Sequence, residues 1–190
     1  MGANESKFDQ EYDVIVVGSG AGGMTTALCA QAQGLSAIVI EKAAVYGGTT
    51  AVSGGGIWIP CNDDIAGVGV PDTHEEALTY MKYLTEGEVP VSRIEAYLNN
   101  APAMVKYMAE TFGVKFRPVP KYPDYFPDKP GGKPGARTME PLEFDAGKLG
   151  ADFELQREPY KGTLVLGRLS MNQVEAHMLF GQAPGWLWLT

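Results

Sequence analysis

The segment from Asp13 to Glu41 constrains this chain more than any other. Asp13-Val14-Ile15-Val16-Val17 is a β-branched run with no charge after its first residue. It predicts a strand buried on both faces, as in a parallel sheet. The run passes directly into Gly18-Ser19-Gly20-Ala21-Gly22-Gly23. A helix pattern follows through Met24, Ala27, Leu28 and Gln31 to Gln33, with Gly34 placed as its C-terminal cap. Ala37-Ile38-Val39-Ile40 then reads as a second buried strand, ending on Glu41.

A GxGxxG pattern alone is weak, but here Gly18, Gly20 and Gly23 lie between a strand and a helix. The whole unit spans about 30 residues and an acid closes its second strand, which is the context a dinucleotide fingerprint requires. Gly18 permits the tight turn, Gly20 lets the backbone approach a pyrophosphate, and Gly23 lets the helix pack close to the strand. The helix N-terminus offers unpaired N–H groups and the positive end of its dipole to phosphates. Glu41 accepts hydrogen bonds from ribose hydroxyls and would repel a 2′-phosphate, which disfavours NADP.

Two further clusters follow the second strand, Gly47-Gly48-Thr49-Thr50 and Ser53-Gly54-Gly55-Gly56. An NAD-binding unit would proceed toward another crossover helix. Loops of small residues and hydroxyls instead bring backbone N–H groups against a large, flat, anionic ligand. Standing alone, the segment would also read as a surface loop.

With these residues in view, EYDVIVVGSGAGG and IVIEKAAVYGGTTAVSGGGIWIP resemble the FAD-binding start of the fumarate reductase/3-ketosteroid dehydrogenase flavoprotein superfamily. The resemblance implies FAD as cofactor. It implies that Glu41 binds the adenosine ribose and that Gly18, Gly20, Ala21, Gly22 and Gly23 surround the pyrophosphate. It further implies that Lys42, Gly48, Thr49, Thr50, Ser53, Gly54 and Gly55 line the way toward the flavin ring. Members of the succinate dehydrogenase type attach FAD to a histidine just after this GG motif. The histidines here are His74 and His177, and residues 49–56 contain none, so the expectation is a noncovalent flavin.

Thr73-His74-Glu75-Glu76 is a capping-box start for a helix running to about Glu86. Ser92-Arg93-Ile94-Glu95 reads as the start of a second helix. Pro102 suits the first turn of a third, with Val105, Met108 and Phe112 on one face and Gly113 as its stop. These apolar stripes are read as core, and His74, at a helix start, as an exposed residue without a role.

Residues 118–150 differ in kind. The run from Pro118 to Pro141 carries seven of the thirteen prolines. It excludes a helix or a central strand and predicts a long ordered loop or lid. Tyr122, Tyr125 and Phe126 serve as apolar anchors, which a flexible linker would lack. Tyr122-Pro123-Asp124-Tyr125-Phe126-Pro127, the PGGKPGAR stretch and Met139-Glu140-Pro141 resemble the 3-ketosteroid 1-dehydrogenases. Their aromatic PDYY-like motif aligns its first tyrosine with Tyr125, and Phe126 stands where a second tyrosine is common. The resemblance implies that Tyr125 lies in the substrate cavity beside the catalytic base. As a residue by itself, Tyr125 would be read as a packing aromatic.

A chain of 190 residues with 45% hydrophobic residues supports a real core. The formal charge of −8 argues against a nucleic-acid partner, which needs a basic surface. Cys29 and Cys61 have no metal-site spacing and read as plain thiols, with Cys29 on a buried helix face. No metal is expected. The first ten residues carry no signal-peptide core, and no apolar run approaches the roughly 20 residues that span a bilayer, so the expectation is a cytoplasmic protein. Met1-Gly2 with Ser6 and Asn4-Glu5-Ser6 match the myristoylation and glycosylation patterns, which are too short to carry weight here. Gly162 to Gly167 reads as a strand, and Ser170 to Gln173 as the start of a short helix through Leu179, with Gly181 after it. Trp186 and Trp188 lie in the last five residues, an apolar end that needs a partner surface.

The expected fold is α/β: a Rossmann-like βαβ start with a helical and Pro/Gly-rich insertion. It is also expected to be incomplete, since a doubly wound dinucleotide sheet usually has about five or six strands. The expected domains are the start of an FAD domain (1–60), an insertion (61–160) and a truncated continuation (161–190). The resemblance implies an oxidoreductase that introduces a C=C bond next to a ketone, a hydride passing to flavin N5, with an apolar ketone such as a steroid as substrate. The alternatives are a fumarate-type flavin reductase, for which the loop offers Lys121, Lys129, Lys133 and Arg137 as carboxylate partners, or an inactive N-terminal fragment that at most binds nucleotide. Neither the oligomeric state nor the principal base is assigned.

Overall fold

The structure, a computed structural model, describes residues 8–159, 164–165, 169–170 and 175. The described residues of Met1–Ser53 and Ala146–Lys161 form one compact unit, and those of Gly54–Asp145 and Gly162–Thr190 a second.

In the first unit, β1 (Val14–Val17), α1 (Ala21–Ala32) and β2 (Ala37–Ile40) follow the expected order. The strands pair in parallel, from Val14 opposite Ala37 to Val17 opposite Ile40. Asp13 and Ser36 hold the strand entrances together: the Ser36 N–H and hydroxyl donate to Asp13 Oδ2, and the Asp13 N–H donates to Ser36 Oγ, at 2.7 to 3.0 Å. Gly23 sets the distance between helix and strand. A Cβ there would stand 1.9 Å from the Gly18 carbonyl oxygen and 3.2 Å from Val16 Cγ1. Gly34 ends the helix with φ +79°, in the left-handed region.

Burial corrects one expectation. Val16 is buried, but Ile15, Val17 and Ile40 are 63%, 84% and 50% exposed. Side chains alternate along a strand, and α1 covers one face of the pair. The opposite face is open among the described residues. Cys29 is half-buried on α1 rather than fully enclosed.

In the second unit, α2 (His74–Thr85) starts on the expected capping box. The Glu76 N–H donates to Thr73 Oγ1 at 3.2 Å, and the Thr73 hydroxyl donates to Glu76 Oε2 at 3.0 Å. His74 is exposed. The two helices expected next are one. α3 (Val91–Phe112) runs 22 residues from an N-cap at Pro90, keeps Pro102 in its interior, and stops at Gly113 with φ +71°. The start expected at Ser92 falls at Val91, and it is Pro102 that opens no separate helix. A helix-interior proline forfeits one backbone hydrogen bond. The face bearing Ile94, Leu98, Ala101 and Met108 is buried throughout, and that continuous packing holds the helix through the proline.

β3 (Ile57–Trp58), β4 (Phe116–Pro118) and β5 (Thr138–Pro141) form an antiparallel sheet in the order β3-β5-β4. The exclusion of a central strand from residues 118–150 is therefore corrected, because β5 is the central strand. Pro141 is its last residue, opposite Phe116, so the missing N–H falls at the end of the ladder. Two apolar clusters form the core. Ala77, Ile94 and Leu98 pack with Trp58 and Met81, and Ile59, Ala101 and Met139 pack with Ile57 and Val105. α3 contributes to both.

β6 (Leu164–Val165) pairs antiparallel with β7 (Leu169–Ser170). The expected strand is thus present at Leu164 and Val165, and Ser170 ends a strand where a helix start was expected. Glu175 is helical. The rest of the helix expected through Leu179, with Gly181, lies outside the described residues. So do His177, Trp186, Trp188 and the N-terminal Met1, Gly2, Asn4, Glu5 and Ser6. Among the described residues no helix is long and apolar enough to cross a membrane, and no three His, Cys, Asp or Glu are grouped to hold a metal.

Candidate functional site

The glycine turn of the first unit is organised by a residue that motif reading passes over. Ser19 is 3% exposed. Its N–H and hydroxyl both donate to Glu41 Oε2, at 2.9 and 2.5 Å, and its Oγ accepts the Gly47 N–H at 2.9 Å. Ser19 thereby ties the turn after β1, the acid after β2 and the next glycine loop into one structure. The Ala43 N–H adds a bond to Glu41 Oε1 at 2.9 Å. These donors, Ala43 first and then Ser19, hold the Glu41 carboxyl down at about 2. Glu41 is therefore ionised at neutral pH, and an ionised carboxylate retains capacity for further donors.

The Gly47-Gly48 loop folds back onto the turn. A Cβ on Gly48 would lie 3.2 Å from the Gly20 Cα, and Thr50 Oγ1 accepts the Ala21 N–H at 3.0 Å. The structure thus brings together Gly18, Gly20, Ala21, Gly22, Gly23, Glu41, Gly48 and Thr50 from the expected set. Lys42, Thr49 and Ser53 are exposed nearby in the chain, and the Ser53 hydroxyl donates to the Thr50 carbonyl at 2.8 Å. Gly54 and Gly55 belong to the second unit. Returning to the first unit, the 146–159 segment forms helical turns interrupted at Gly150 and then runs beside Tyr46. The Tyr46 N–H donates to the Leu155 carbonyl and the Arg157 N–H to the Tyr46 carbonyl, both at 2.8 Å.

These residues fit a dinucleotide. The N-cap residue Gly20 offers no capping side chain, Thr50 Oγ1 takes the Ala21 N–H, and no acid stands in the first turn of α1. Ala21 and Gly22 are exposed, and a Cβ on Gly22 would meet nothing within 4 Å, so the first turn of α1 is uncovered. An uncovered first turn suits a pyrophosphate, and the anchored Glu41 carboxylate suits ribose hydroxyls.

In the second unit, the loop carrying Tyr125 is held by charge rather than by the expected aromatic anchors. Tyr125 is 88% exposed and Phe126 49%. The fixed point is Arg137, wholly buried, whose guanidinium grips Asp72 through two bonds at 2.9 and 2.6 Å and Asp124 through one at 2.9 Å. A fourth bond reaches the Gly131 carbonyl at 2.8 Å. The rings of Trp58 and Tyr80 lie 5.5 and 5.6 Å from the guanidinium carbon, within cation–π range. Asp124 also accepts from Trp58 Nε1 at 2.7 Å and the Lys133 N–H at 2.9 Å. Burial pushes the Asp72 carboxyl up, but the bonds from Arg137 and the Cys61 N–H outweigh it and leave the group below its ordinary value. Both sides of Tyr125 are pinned, since the Asp124 N–H donates to the Lys133 carbonyl at 3.0 Å and the Phe126 N–H to the Tyr80 hydroxyl at 3.1 Å. At Gly131, φ +74°, a Cβ would collide with the Glu76 carbonyl oxygen at 2.1 Å, so this glycine lets the loop lie on α2.

Tyr125 is thus an exposed phenol on a rigid base. Of the cations offered by the loop, Arg137 is committed to two aspartates and Lys133 to Glu76 at 2.7 Å. Sequence reading missed Ser19, Asp72, Asp124 and Arg137 as organisers.

A family model for an FAD binding domain matches residues 13–179. A 3-oxosteroid 1-dehydrogenase of Mycolicibacterium smegmatis is 48% identical over 165 residues, covering 87% of this chain and 28% of that protein. One of Comamonas testosteroni is 42% identical over 175 residues, covering 92% of this chain and 30% of that protein. Among solved structures, the 3-ketosteroid delta1-dehydrogenase of Sterolibacterium denitrificans, crystallised with 1,4-androstadiene-3,17-dione, superposes with a TM-score of 0.87 at 49% identity, covering 93% of this chain and 31% of that one. The chain spans about three tenths of the length of the curated relatives it matches.

Proposed function

The chain belongs to the FAD binding domain family, and from that premise we propose that it is the N-terminal part of a flavin-dependent dehydrogenase that introduces a C=C bond next to the ketone of a steroid. The observation that carries the reading is its 49% identity and 0.87 TM-score to a ketosteroid delta1-dehydrogenase over 93% of its length. The bound FAD supplies the hydride acceptor for such a reaction. In this reading the 18–23 turn and α1 hold the pyrophosphate, and Glu41, kept ionised by Ser19 and Ala43, holds the adenosine ribose. Lys42, Thr49, Thr50, Ser53, Gly54 and Gly55 extend the cofactor contacts toward the flavin. The cofactor is held noncovalently, since residues 49–56 offer no histidine. Residues 1–60 begin the FAD domain, 61–160 are its insertion and 161–190 its continuation. The protein works in the cytoplasm.

Tyr125 contacts the substrate. Its exposure on a pinned loop supports that role, because a rigid backbone keeps an uncovered phenol in one position. A phenol with a pKa near 10 is a poor base at neutral pH, so Tyr125 assists a base supplied elsewhere in the protein. The fumarate-type alternative is weaker, because Lys133 and Arg137 already hold carboxylates of their own. The test is the full-length protein given a saturated-ring-A 3-oxosteroid and an artificial electron acceptor, with product read by mass loss of two hydrogens. No desaturation of any 3-oxosteroid would sink the reading. Acid denaturation should release the flavin into solution, and flavin retained on the polypeptide would refute noncovalent binding. Tyr125→Phe should lower turnover without loss of FAD, and unchanged turnover would remove Tyr125 from the mechanism.

A further inference from the structure

Among the described residues of the first unit, Arg157 is the half-buried cation, and no ion pair answers it. Its Nε is buried and has no hydrogen-bond partner. The other described arginines are provided for: Arg137 holds two aspartates, Arg117 holds Glu140 and Glu143, and Arg93 is exposed. A buried N–H without an acceptor is costly, and a ligand that accepts from it removes that cost. The backbone places Arg157 beside the glycine loops. Its N–H is bonded to the Tyr46 carbonyl at 2.8 Å, and its Cβ lies 3.9 Å from where a Gly47 Cβ would stand. The Gly47 N–H is bonded to Ser19 Oγ, and Gly48 approaches Gly20. Arg157 thus stands two contacts from the turn at the N-terminus of α1.

We infer that the Arg157 guanidinium is a binding residue for the pyrophosphate of FAD, an inference that rests on the FAD reading of this site. The chemistry of the ligand selects the pyrophosphate. The adenine, the ribose, the ribityl chain and the oxidised flavin ring are uncharged at neutral pH, so the diphosphate is the anion the cofactor brings. Arginine suits it because its planar fork donates two parallel hydrogen bonds to phosphate oxygens. The helix N-terminus supplies backbone donors to the same group from another side, and Arg157 supplies full charge that the first turn of α1 lacks.

The experiment uses the full-length protein stripped of flavin, titrated calorimetrically with FAD, ADP and adenosine. Arg157→Gln should weaken FAD and ADP by about ten- to a hundredfold, as expected for loss of a charge-assisted hydrogen bond. Adenosine, which lacks the diphosphate, should bind the variant and the wild type alike. Arg157→Lys, which keeps the charge but not the fork, should fall between them. Equal FAD affinity in Arg157→Gln and wild type overturns the inference and assigns the guanidinium a partner within the protein. An equal loss for adenosine overturns it too, since the effect would not follow the phosphates. If Arg157→Gln does not fold, Arg157→Lys carries the same comparison, and unchanged FAD and ADP affinity in that variant overturns the inference. A wild-type protein that binds neither FAD nor ADP would instead defeat the FAD reading itself.

Discussion

Replacing Arg137 by glutamine tests whether charge pairing, rather than aromatic packing, holds the Tyr125 loop. The substitution removes four hydrogen bonds, two to Asp72, one to Asp124 and one to the Gly131 carbonyl. It leaves two carboxylates that are 0% and 2% exposed without a cation. Removing one partner of a buried ion pair costs about 3–5 kcal/mol. The loss of the contacts to Trp58 and Tyr80 adds about 1 kcal/mol. The remaining donors to Asp124, from Trp58 and Lys133, and to Asp72, from Cys61 and Thr73, reduce the total. A loss of about 4 kcal/mol at neutral pH is expected.

The loss should depend on pH in a defined direction. In the wild type the Asp72 carboxyl lies below its ordinary 3.8. Its contribution is present above that value and disappears as pH falls through the folded-state value. Without the guanidinium, burial dominates and raises the Asp72 carboxyl above its unfolded value. Asp72 then destabilises the fold increasingly as pH rises. The gap between wild type and Arg137→Gln should therefore be small near pH 3 and widen toward pH 6. Thermal unfolding of the full-length protein at several pH values, followed by tryptophan fluorescence, measures this gap. A gap that is constant across the range, or that closes as pH rises, would refute the argument, as would a variant as stable as the wild type.

Gly23→Ala should prevent α1 from seating on β1, because the new methyl would stand 1.9 Å from the Gly18 carbonyl oxygen, and a variant that retains full FAD occupancy would contradict that geometry. Glu41→Gln should weaken FAD by about tenfold or more, since a charged acceptor is lost; isothermal titration of the flavin-free protein reads the change. With the Glu41 carboxyl held at about 2, this contribution should be constant from pH 5 to 8 and decline only in strong acid. A wild-type-to-variant affinity ratio that titrates near neutral pH would mean that another group is responsible.

The first unit was legible in the sequence to a large degree. Its strand, glycine turn, helix and second strand lie within consecutive residues, and each element announces itself by β-branched runs, glycine spacing or a terminal acid. What could not be read there was exposure. Val14 to Val17 look alike as letters, yet Val16 is covered by α1 and Val17 is not, because covering depends on which elements pack on each face. Pro102 lies inside α3 rather than at a helix start for a related reason. The local preference to start a helix at proline was overridden by a buried stripe that continues on both sides of it. Thr138 to Pro141 end a proline-crowded run that predicts loop, yet Pro141 is the one proline of β5 and it closes the ladder.

The sequence by itself determined the dinucleotide cradle, since a turn, a helix start and an acid within about 30 residues need only local geometry to meet. Tertiary structure decided how the cradle and the loop are held. Ser19 becomes an organiser only once parallel pairing brings Glu41 within 2.5 Å of its hydroxyl. Arg137 finds Asp72 65 residues away and Asp124 13 residues away. No spacing rule announces such a pairing, because a buried charge is tolerated only where the whole fold delivers its partners.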